Sequence, residues 1–237
     1  MARQIDKILT KVLTPRLLGE IDYLFKPKLK NKFGGPFNGQ EYRVLLYNEI
    51  MRVTAPQAII ETGTFRGTTT ALFSDCGPPV YTCELNKRYF FYSRRRFKSK
   101  NHVHVFCQDS RDFLRDLSKQ GLYNEAPVFF YLDAHWGDDL PLLQEVEIIF
   151  SNWHKAIVMI DDFNVPGTDY TYDSYGPHKT LQLKYLERLE NLNLAIYYPS
   201  TDPAMETGKK RGCVVLCVDR GVADKLDTID LLYRYSP

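Results

Sequence analysis

The stretch from Ile59 to Thr69 reads Ile-Ile-Glu-Thr-Gly-Thr-Phe-Arg-Gly-Thr-Thr, and it decides the predicted fold. Its apolar start predicts a buried strand, its glycines predict a turn, and its end predicts the first turn of a helix. Glycine has no Cβ and tolerates positive φ, so backbone in such a turn can pass close to a ligand. The unpaired N–H groups at the start of the following helix then point toward whatever is bound.

Two carboxylates accompany this turn. Glu61 stands at its mouth, and Glu84 ends a second short apolar run 23 residues later. An acid at about that spacing binds the ribose in nucleotide-type folds. A nucleotide phosphate is one candidate ligand, but Glu61 would repel a phosphate and attract an amine. The pattern therefore favours a cofactor that carries an amino acid.

Composition narrows the possible classes of protein. The chain has 237 residues, 44% of them hydrophobic, and a net charge of +2. This length fits one large α/β domain or two small ones, and the charge is too small to indicate nucleic-acid binding by itself. The five cysteines show no zinc-type spacing, which favours a reducing compartment. No signal peptide and no membrane-spanning run is evident, so we expect a cytoplasmic protein.

Alternating short apolar runs and helical patterns predict an α/β fold. The predicted strands are 57–61, 80–84, 103–107, 128–132, 156–160, 194–198 and 213–218, and the predicted helices are 3–13, 40–52, 68–75, 87–97, 111–119, 140–151 and 179–190. The first five strands are almost entirely apolar, as expected of parallel strands that are covered on both faces. No helical pattern separates the last two, which predicts an antiparallel pair at the sheet edge.

The predicted architecture is a doubly wound, mostly parallel, seven-stranded sheet with an antiparallel edge hairpin. Residues 53–237 would form this Rossmann-like domain. Residues 1–52 would form an N-terminal helical extension that serves as a lid or as a dimer arm, so a homo-oligomer is one possibility. Ligands in open parallel sheets bind beyond the carboxyl ends of the strands.

A carboxylate follows each of the first five predicted strands. In chain order these ends carry Glu61, Glu84, Asp109-Ser110, Asp133-Ala134-His135 and Asp161-Asp162. One acid at such a position is unremarkable, because strand ends are exposed. Five acids at one rim of the sheet suit a ligand with several hydroxyls, an amine and a cation.

The pattern Glu61-x-Gly63-x-x-x-Gly67, followed by Glu84 and by Asp109-Ser110, resembles class I S-adenosylmethionine-dependent methyltransferases. The resemblance implies that the turn, with Gly63, Phe65 and Gly67, packs against the methionine part of the cofactor beside Glu61. It implies that Glu84 holds the ribose hydroxyls and that Asp109 and Ser110 approach the adenine.

The chain also resembles a narrower group, the metal-dependent O-methyltransferases of the macrocin and mycinamicin type, which modify sugars on antibiotics. That resemblance implies a Mg²⁺ site at Asp133, Asp161 and Asp162, and a histidine base near the first of these acids. His135 lies two residues after Asp133 and is the candidate, so His135 and Asp133 form the predicted catalytic pair. A cation on a sugar hydroxyl would lower its pKa, and a neutral imidazole could accept the proton.

Other interpretations remain open at this point. The protein could be a binding or scaffold protein that kept a cofactor-type fold without turnover. The basic run Arg94-Arg95-Arg96, with Lys98 and Lys100, would suit an RNA methyltransferase, but a solvated helix end is the commoner role of such a run, and we expect a small hydroxyl acceptor instead. The long aromatic loop after Asp162, with Tyr170, Tyr172 and Tyr175, is interpreted as the wall of the acceptor site.

Overall fold

A computed structural model of the chain describes Thr10, residues 12–135 and residues 139–236. Most of the predicted helix 3–13 therefore lies outside the described residues. One sheet of eight strands organises the rest, in the order β3-β2-β1-β4-β5-β7-β6-β8. The strands are β1 Ala58–Thr62, β2 Val80–Cys83, β3 Val103–Phe106, β4 Val128–Leu132, β5 Ala156–Asp161, β6 Ala195–Pro199, β7 Cys213–Cys217 and β8 Leu232–Arg234.

The first five strands are parallel, as predicted. β7 pairs antiparallel with both β5 and β6, so it inserts between them rather than ending the sheet. The short strand β8 then pairs antiparallel with β6 and forms the outer edge. The predicted antiparallel pair is confirmed, and the sheet has one strand more than the sequence pattern indicated.

Helices cover both faces of the sheet. They are α1 Pro15–Phe25, α2 Glu41–Thr54, α3 Thr68–Phe73, α4 Lys87–Arg96, α5 Ser110–Lys119, α6 Leu142–Asn152 and α7 Arg220–Leu226, with 3₁₀ segments at Pro27–Gly34, Pro36–Gly39 and Leu183–Leu192. Among the described residues, no helix is both long and apolar enough to cross a membrane.

Strand β4 shows how the two hydrophobic cores divide. Its five residues are all buried, and they alternate between the cores: Val128, Phe130 and Leu132 pack with α5 and α6, whereas Phe129 and Tyr131 pack with α2. Side chains of a strand point to opposite faces in turn, so a continuous apolar run is what a strand between two helical layers requires.

The N-terminal region packs closely on the rest of the molecule. The buried Asp22 of α1 forms ion pairs with Lys26 at 2.6 Å and with Arg88 of α4 at 2.7 Å. Phe37, in the second 3₁₀ segment, packs into the core beside Tyr131. The predicted domain boundary after residue 52 falls inside α2. The role of residues 1–52 as a lid or a dimer arm stays a prediction.

Candidate functional site

A cavity of about 840 Å³ opens at the carboxyl ends of the parallel strands. The 3₁₀ segments of the N-terminal region also line it, through Lys32, Phe33 and Asn38. Most of the predicted site residues meet here, and those that line the cavity are Glu61, Gly63, Phe65, Glu84, Asp109, Ser110, Asp133 and Asp162. Gly67, Asp161 and His135 are not among the residues that line it.

Both glycines of the turn have positive φ, 88° at Gly63 and 69° at Gly67. A Cβ on Gly63 would lie 2.4 Å from the carbonyl oxygen of Asp133, so this glycine lets the ends of β1 and β4 approach each other. A Cβ on Gly67 would lie 2.5 Å from the ring of Phe97. The packing of Gly67 is therefore internal, and its predicted role in cofactor binding stays a prediction.

Glu61 lies at the carboxyl end of the central strand β1, and only 1% of it is exposed. Its Oε2 accepts hydrogen bonds from the hydroxyls of Thr70 and Thr82, both at 2.6 Å. Burial raises the pKa of Glu61 to about 7, because the low-dielectric interior disfavours the charged form. A cationic group in the cavity would favour the ionised carboxylate.

Glu84 follows β2, and backbone amides hold both of its oxygens. The N–H of Phe65 donates to Oε2 and the N–H of Asn86 donates to Oε1, each at 2.7 Å. Burial raises the pKa of Glu84, and these two amides oppose the shift. The bonds fix the carboxylate against the cavity, where its remaining lone pairs can accept from hydroxyl groups.

Asp109 caps helix α5, and its side chain accepts from the backbone N–H of Arg111 at 3.0 Å. The Arg111 guanidinium also binds both carboxylate oxygens, at 2.9 and 2.8 Å, and extends to Asp139 at 2.6 Å. The Arg111 bonds hold the pKa of Asp109 below its usual range. Ser110 is buried beside Asp109, so the predicted adenine end of the cavity carries one fixed anion and one hydroxyl.

The acid cluster, Asp133, Asp161 and Asp162, forms at the ends of β4 and β5. Each of its members offers a carboxylate oxygen, and these atoms all lie within 4.8 Å of one another. Burial and then the neighbouring carboxylates raise the pKa of Asp133 well above its usual range and that of Asp162 to about 7. Carboxylates this close repel one another, so they cannot all be ionised unless a cation compensates their charge; otherwise protons neutralise some of them.

Two arginines partly neutralise the acid cluster. The buried Arg43 of α2 donates to Oδ1 of Asp161 at 2.5 Å, while Oδ2 of Asp161 is buried and has no hydrogen-bond partner in the described part of the chain. Arg211 donates through Nε to Oδ1 of Asp162 at 2.6 Å and through an Nη to Asp173. Each arginine therefore occupies one oxygen of a cluster acid.

Neither a protein-family model nor a curated protein matches the sequence. Solved structures match the fold. The O-methyltransferase from Bacillus cereus in complex with S-adenosylhomocysteine (SAH) superposes with a TM-score of 0.56 at 15% identity, over 91% of this chain and 97% of that one. A putative caffeoyl-CoA O-methyltransferase from Staphylococcus aureus gives 0.56 at 14% identity, over 92% and 98%.

The O-methyltransferase TomG from Streptomyces achromogenes, in complex with S-adenosylmethionine, gives a TM-score of 0.51 at 16% identity, over 75% of this chain and 79% of that chain. The chain has the Rossmann-like methyltransferase fold. At these identities the likeness concerns the fold alone, and within the methyltransferase fold the cavity occupies the rim at the carboxyl ends of the strands.

His135 lies where the methyltransferase fold brings β4 to the rim, but its imidazole is buried. Nε2 lies 3.1 Å from the carbonyl oxygen of Leu132, and Nδ1 has no partner among the described residues. Burial lowers the pKa of His135 to about 4, so the ring is neutral at pH 7. A neutral ring suits a base, yet it does not line the cavity, so the catalytic role stays a prediction.

The loop after β5 contributes acids to the cavity rather than tyrosine rings. Asp162 and Asp173 line the cavity. Tyr170 is buried and donates to the carbonyl of Thr201, and Tyr172 is exposed at the surface. Tyr175 donates at 2.7 Å to Asp173. Among the described residues, none of these three rings lines the cavity, so the interpretation as an aromatic acceptor wall does not describe this arrangement.

Sequence reasoning missed the arginines that bind the site acids, and it missed Asp173. Arg43 lies 118 positions from Asp161 and Arg211 lies 49 positions from Asp162, so no local spacing relates them. Two members of the basic run have internal contacts: Arg96 donates to the carbonyls of Lys30 and Arg66, and Lys100 pairs with Asp75.

Proposed function

We propose that this protein is an S-adenosylmethionine-dependent O-methyltransferase that acts on a hydroxyl group of a small molecule, a sugar or another natural product, with the help of a divalent cation such as Mg²⁺. One observation carries the proposal: acids of the cofactor-binding type and two members of the acid cluster, Asp133 and Asp162, line the same cavity. The solved O-methyltransferases with the same fold, two of them in complex with SAH or S-adenosylmethionine, support it.

The cofactor half of the proposal rests on three acids that follow neighbouring strands at the rim. Glu84 would accept from the ribose hydroxyls, since amides already fix its orientation. Glu61 would favour the ammonium group of the methionine part, and Asp109 with Ser110 would adjoin the adenine. When bound, the cofactor supplies a sulfonium methyl group, and much of the rate enhancement comes from holding the acceptor oxygen in line with it.

The cation half rests on the acid cluster. Mg²⁺ prefers oxygen ligands, and three carboxylate oxygens within 4.8 Å of one another fit that preference. The buried Oδ2 of Asp161, without a partner among the described residues, is an acceptor that a cation would satisfy. A bound cation would lower the pKa of an acceptor hydroxyl.

Asp133 is the proposed proton acceptor at the cavity surface, because it lines the cavity and no arginine among the described residues donates to its carboxylate. His135, buried behind the rim, is the second candidate. A non-catalytic binding or scaffold protein is the alternative from another class. Arg96 and Lys100 of the basic run have internal contacts, and an RNA substrate is not part of the proposal.

Calorimetry with SAH and with Mg²⁺ tests both halves. We expect wild type to bind SAH, and Glu84→Ala to weaken that binding by about 2–3 kcal/mol, because buried ribose hydroxyls lose a charged acceptor. Asp162→Asn is the matched variant: asparagine tolerates the positive φ of 54° at this position, so the fold should persist. It should lose Mg²⁺ binding and retain SAH binding.

If folded Glu84→Ala binds SAH as tightly as wild type, the cofactor assignment is wrong. If wild type binds SAH but methylates no member of a panel of glycosylated and phenolic small molecules, the scaffold alternative gains. Full methyl transfer in excess EDTA would remove the cation from the proposal and leave the cofactor half intact.

A further inference from the structure

The guanidinium of Arg211 lies between two acids at the cavity wall. Its Nε bonds to Oδ1 of Asp162 at 2.6 Å, and one Nη bonds to Oδ1 of Asp173. The backbone of Arg211 is held by Gln40, whose amide oxygen accepts from the Arg211 N–H at 2.7 Å and whose amide nitrogen donates to the Arg211 carbonyl at 3.0 Å. The base of this side chain is therefore fixed.

This placement creates a conflict for a cation site. Arg211 orients Asp162, which helps a ligand acid to keep one geometry. However, the guanidinium also brings a positive charge next to the oxygens that would bind a divalent cation, and like charges repel. Asp173 bonds to the same guanidinium and supplies a negative charge on its other side. It lines the cavity without belonging to the acid cluster.

We propose that Asp173 is a positioning residue that sets the divalent-cation affinity of the acid cluster through Arg211. Asp173 offsets the charge of Arg211 and holds its guanidinium against Oδ1 of Asp162, which leaves the second oxygen of Asp162 for the cation. The inference rests on the cation half of the proposed function. It adds a residue that lies outside the cluster and beyond any local sequence motif.

The backbone ties Asp173 to the same site. Its N–H donates to the carbonyl of Asp162 at 2.9 Å, and its carbonyl accepts from the N–H of Leu181 at 3.0 Å. The hydroxyl of Tyr175 donates to its Oδ2 at 2.7 Å. The hydrogen bonds of Asp173 therefore hold the segment 163–181, which lies between β5 and the third 3₁₀ segment, next to the acid cluster. An acceptor that contacts this segment would act on cation affinity through the same residue.

Titration of Mn²⁺ into the cofactor-free full-length protein, followed by calorimetry, tests the proposal. Asp173→Asn removes the negative charge and weakens the hold on Arg211, and both effects disfavour a cation. We expect a 10- to 100-fold weaker Mn²⁺ affinity, the range seen when a residue that orients a metal ligand is replaced. Arg211→Lys keeps the charge but cannot bridge two acids with one planar group, so it should weaken Mn²⁺ binding too.

Asp139→Asn is the matched control, because Asp139 shares Arg111 with Asp109 as Asp173 shares Arg211 with Asp162. It should keep the Mn²⁺ affinity of wild type. Tyr175→Phe removes the hydroxyl that contacts Asp173 and the carbonyl of His135 but leaves the Arg211 contact, and it should also stay close to wild type. SAH affinity, measured in parallel, reports whether each variant keeps its cavity.

The outcomes separate the two proposals. If wild type binds no Mn²⁺, the cation half of the proposed function fails and this inference fails with it. If wild type binds Mn²⁺ and Asp173→Asn binds it equally well, only the positioning role is wrong. If Tyr175→Phe weakens Mn²⁺ binding as much as Asp173→Asn does, anchoring of the segment explains the effect, and the charge argument is overturned.

Discussion

The acids at the two ends of the cavity differ in how many of their carboxylate oxygens accept hydrogen bonds from the protein. At the cofactor end, backbone amides hold both oxygens of Glu84, and Arg111 holds both oxygens of Asp109. At the cluster end, Arg43 holds only one oxygen of Asp161, and the other is buried without a partner among the described residues. Asp162 likewise meets Arg211 through one oxygen.

The difference shows what each end still needs. Acids whose oxygens are already fixed by protein donors are preorganised to accept further hydrogen bonds from a neutral group, and no added charge is required. At the cluster end, two arginines face three carboxylates, and one of these arginines, Arg211, also pairs with Asp173. Charge balance there requires protons or a cation, which is the physical basis for distinguishing the proposed cofactor site from the proposed cation site within one cavity.

Arg43→Met should have the largest effect on stability and would test how strongly the cluster end depends on its arginines. Arg43 and Asp161 are only 2% and 1% exposed, so the substitution leaves a buried carboxylate without its counter-ion. We expect a loss of about 3–5 kcal/mol in the free energy of unfolding, measured by urea denaturation at pH 7.5.

Arg111→Met is the matched substitution at the cofactor end. Arg111 is 22% exposed and its partner Asp139 is 69% exposed, so solvent screens this network. We expect a loss of about 1 kcal/mol or less. Equal losses at Arg43 and Arg111 would contradict the contrast between the buried Arg43–Asp161 pair and the solvent-screened network of Arg111.

Glu61→Gln tests the cofactor end through the pH dependence of folding stability. The folded protein raises the pKa of Glu61 to about 7, above its unfolded value, so the folded state binds the proton more tightly. This contribution to stability is fully present below the unfolded pKa and is lost as pH rises to the folded pKa. Between pH 4.5 and pH 8, the stability difference should move by about 3 kcal/mol in favour of the variant.

Urea denaturation of both proteins across that pH range measures the shift. A second readout concerns the ligand: an ammonium group favours the ionised carboxylate, so Glu61→Gln should bind SAH more weakly at pH 8 in spite of its gain in stability. A stability difference that does not change with pH would show that Glu61 ionises freely in the folded protein, and the burial argument would fail.

Sequence patterns predicted the parts of the site that depend on local chain geometry. The acids of β1 to β5 were placed correctly at one rim, because each follows a continuous apolar run and parallel strands end on the same edge. β8 was missed, since it has only three residues, two of them exposed, and lacks an apolar pattern. The sequence predicts a helix at 179–190, whereas the structure has a 3₁₀ segment at Leu183–Leu192.

The partners of the site acids could not be read from the sequence. Arg43 lies on α2 and reaches Asp161 only through the tertiary fold, and Arg211 comes close to Asp162 because β7 pairs with β5. The prediction of an aromatic acceptor wall fails for a similar reason. The hydroxyl of Tyr170 donates to Thr201 and that of Tyr175 donates to Asp173, and both contacts depend on tertiary packing.

His135→Gln tests whether the cluster end also contains the base, and it first predicts a change in the pH dependence of stability. Burial lowers the pKa of His135 to about 4, below its unfolded value of about 6.5. A depressed pKa contributes stability that is present above the unfolded pKa and is lost as pH falls toward the folded pKa. Between pH 6.5 and pH 5, wild type should lose about 2 kcal/mol relative to the variant.

Kinetics with an acceptor from the same panel then separate packing from catalysis. A base with this pKa would place the acid limb of kcat/KM near pH 4, and its removal would lower the rate about 10²–10⁴-fold and flatten that limb. Because the imidazole does not line the cavity, we expect the limb and most of the rate to survive in His135→Gln, with the pH-dependent stability difference as its main signature. If the variant loses both the rate and the acid limb of kcat/KM, His135 is the base and Asp133 is not.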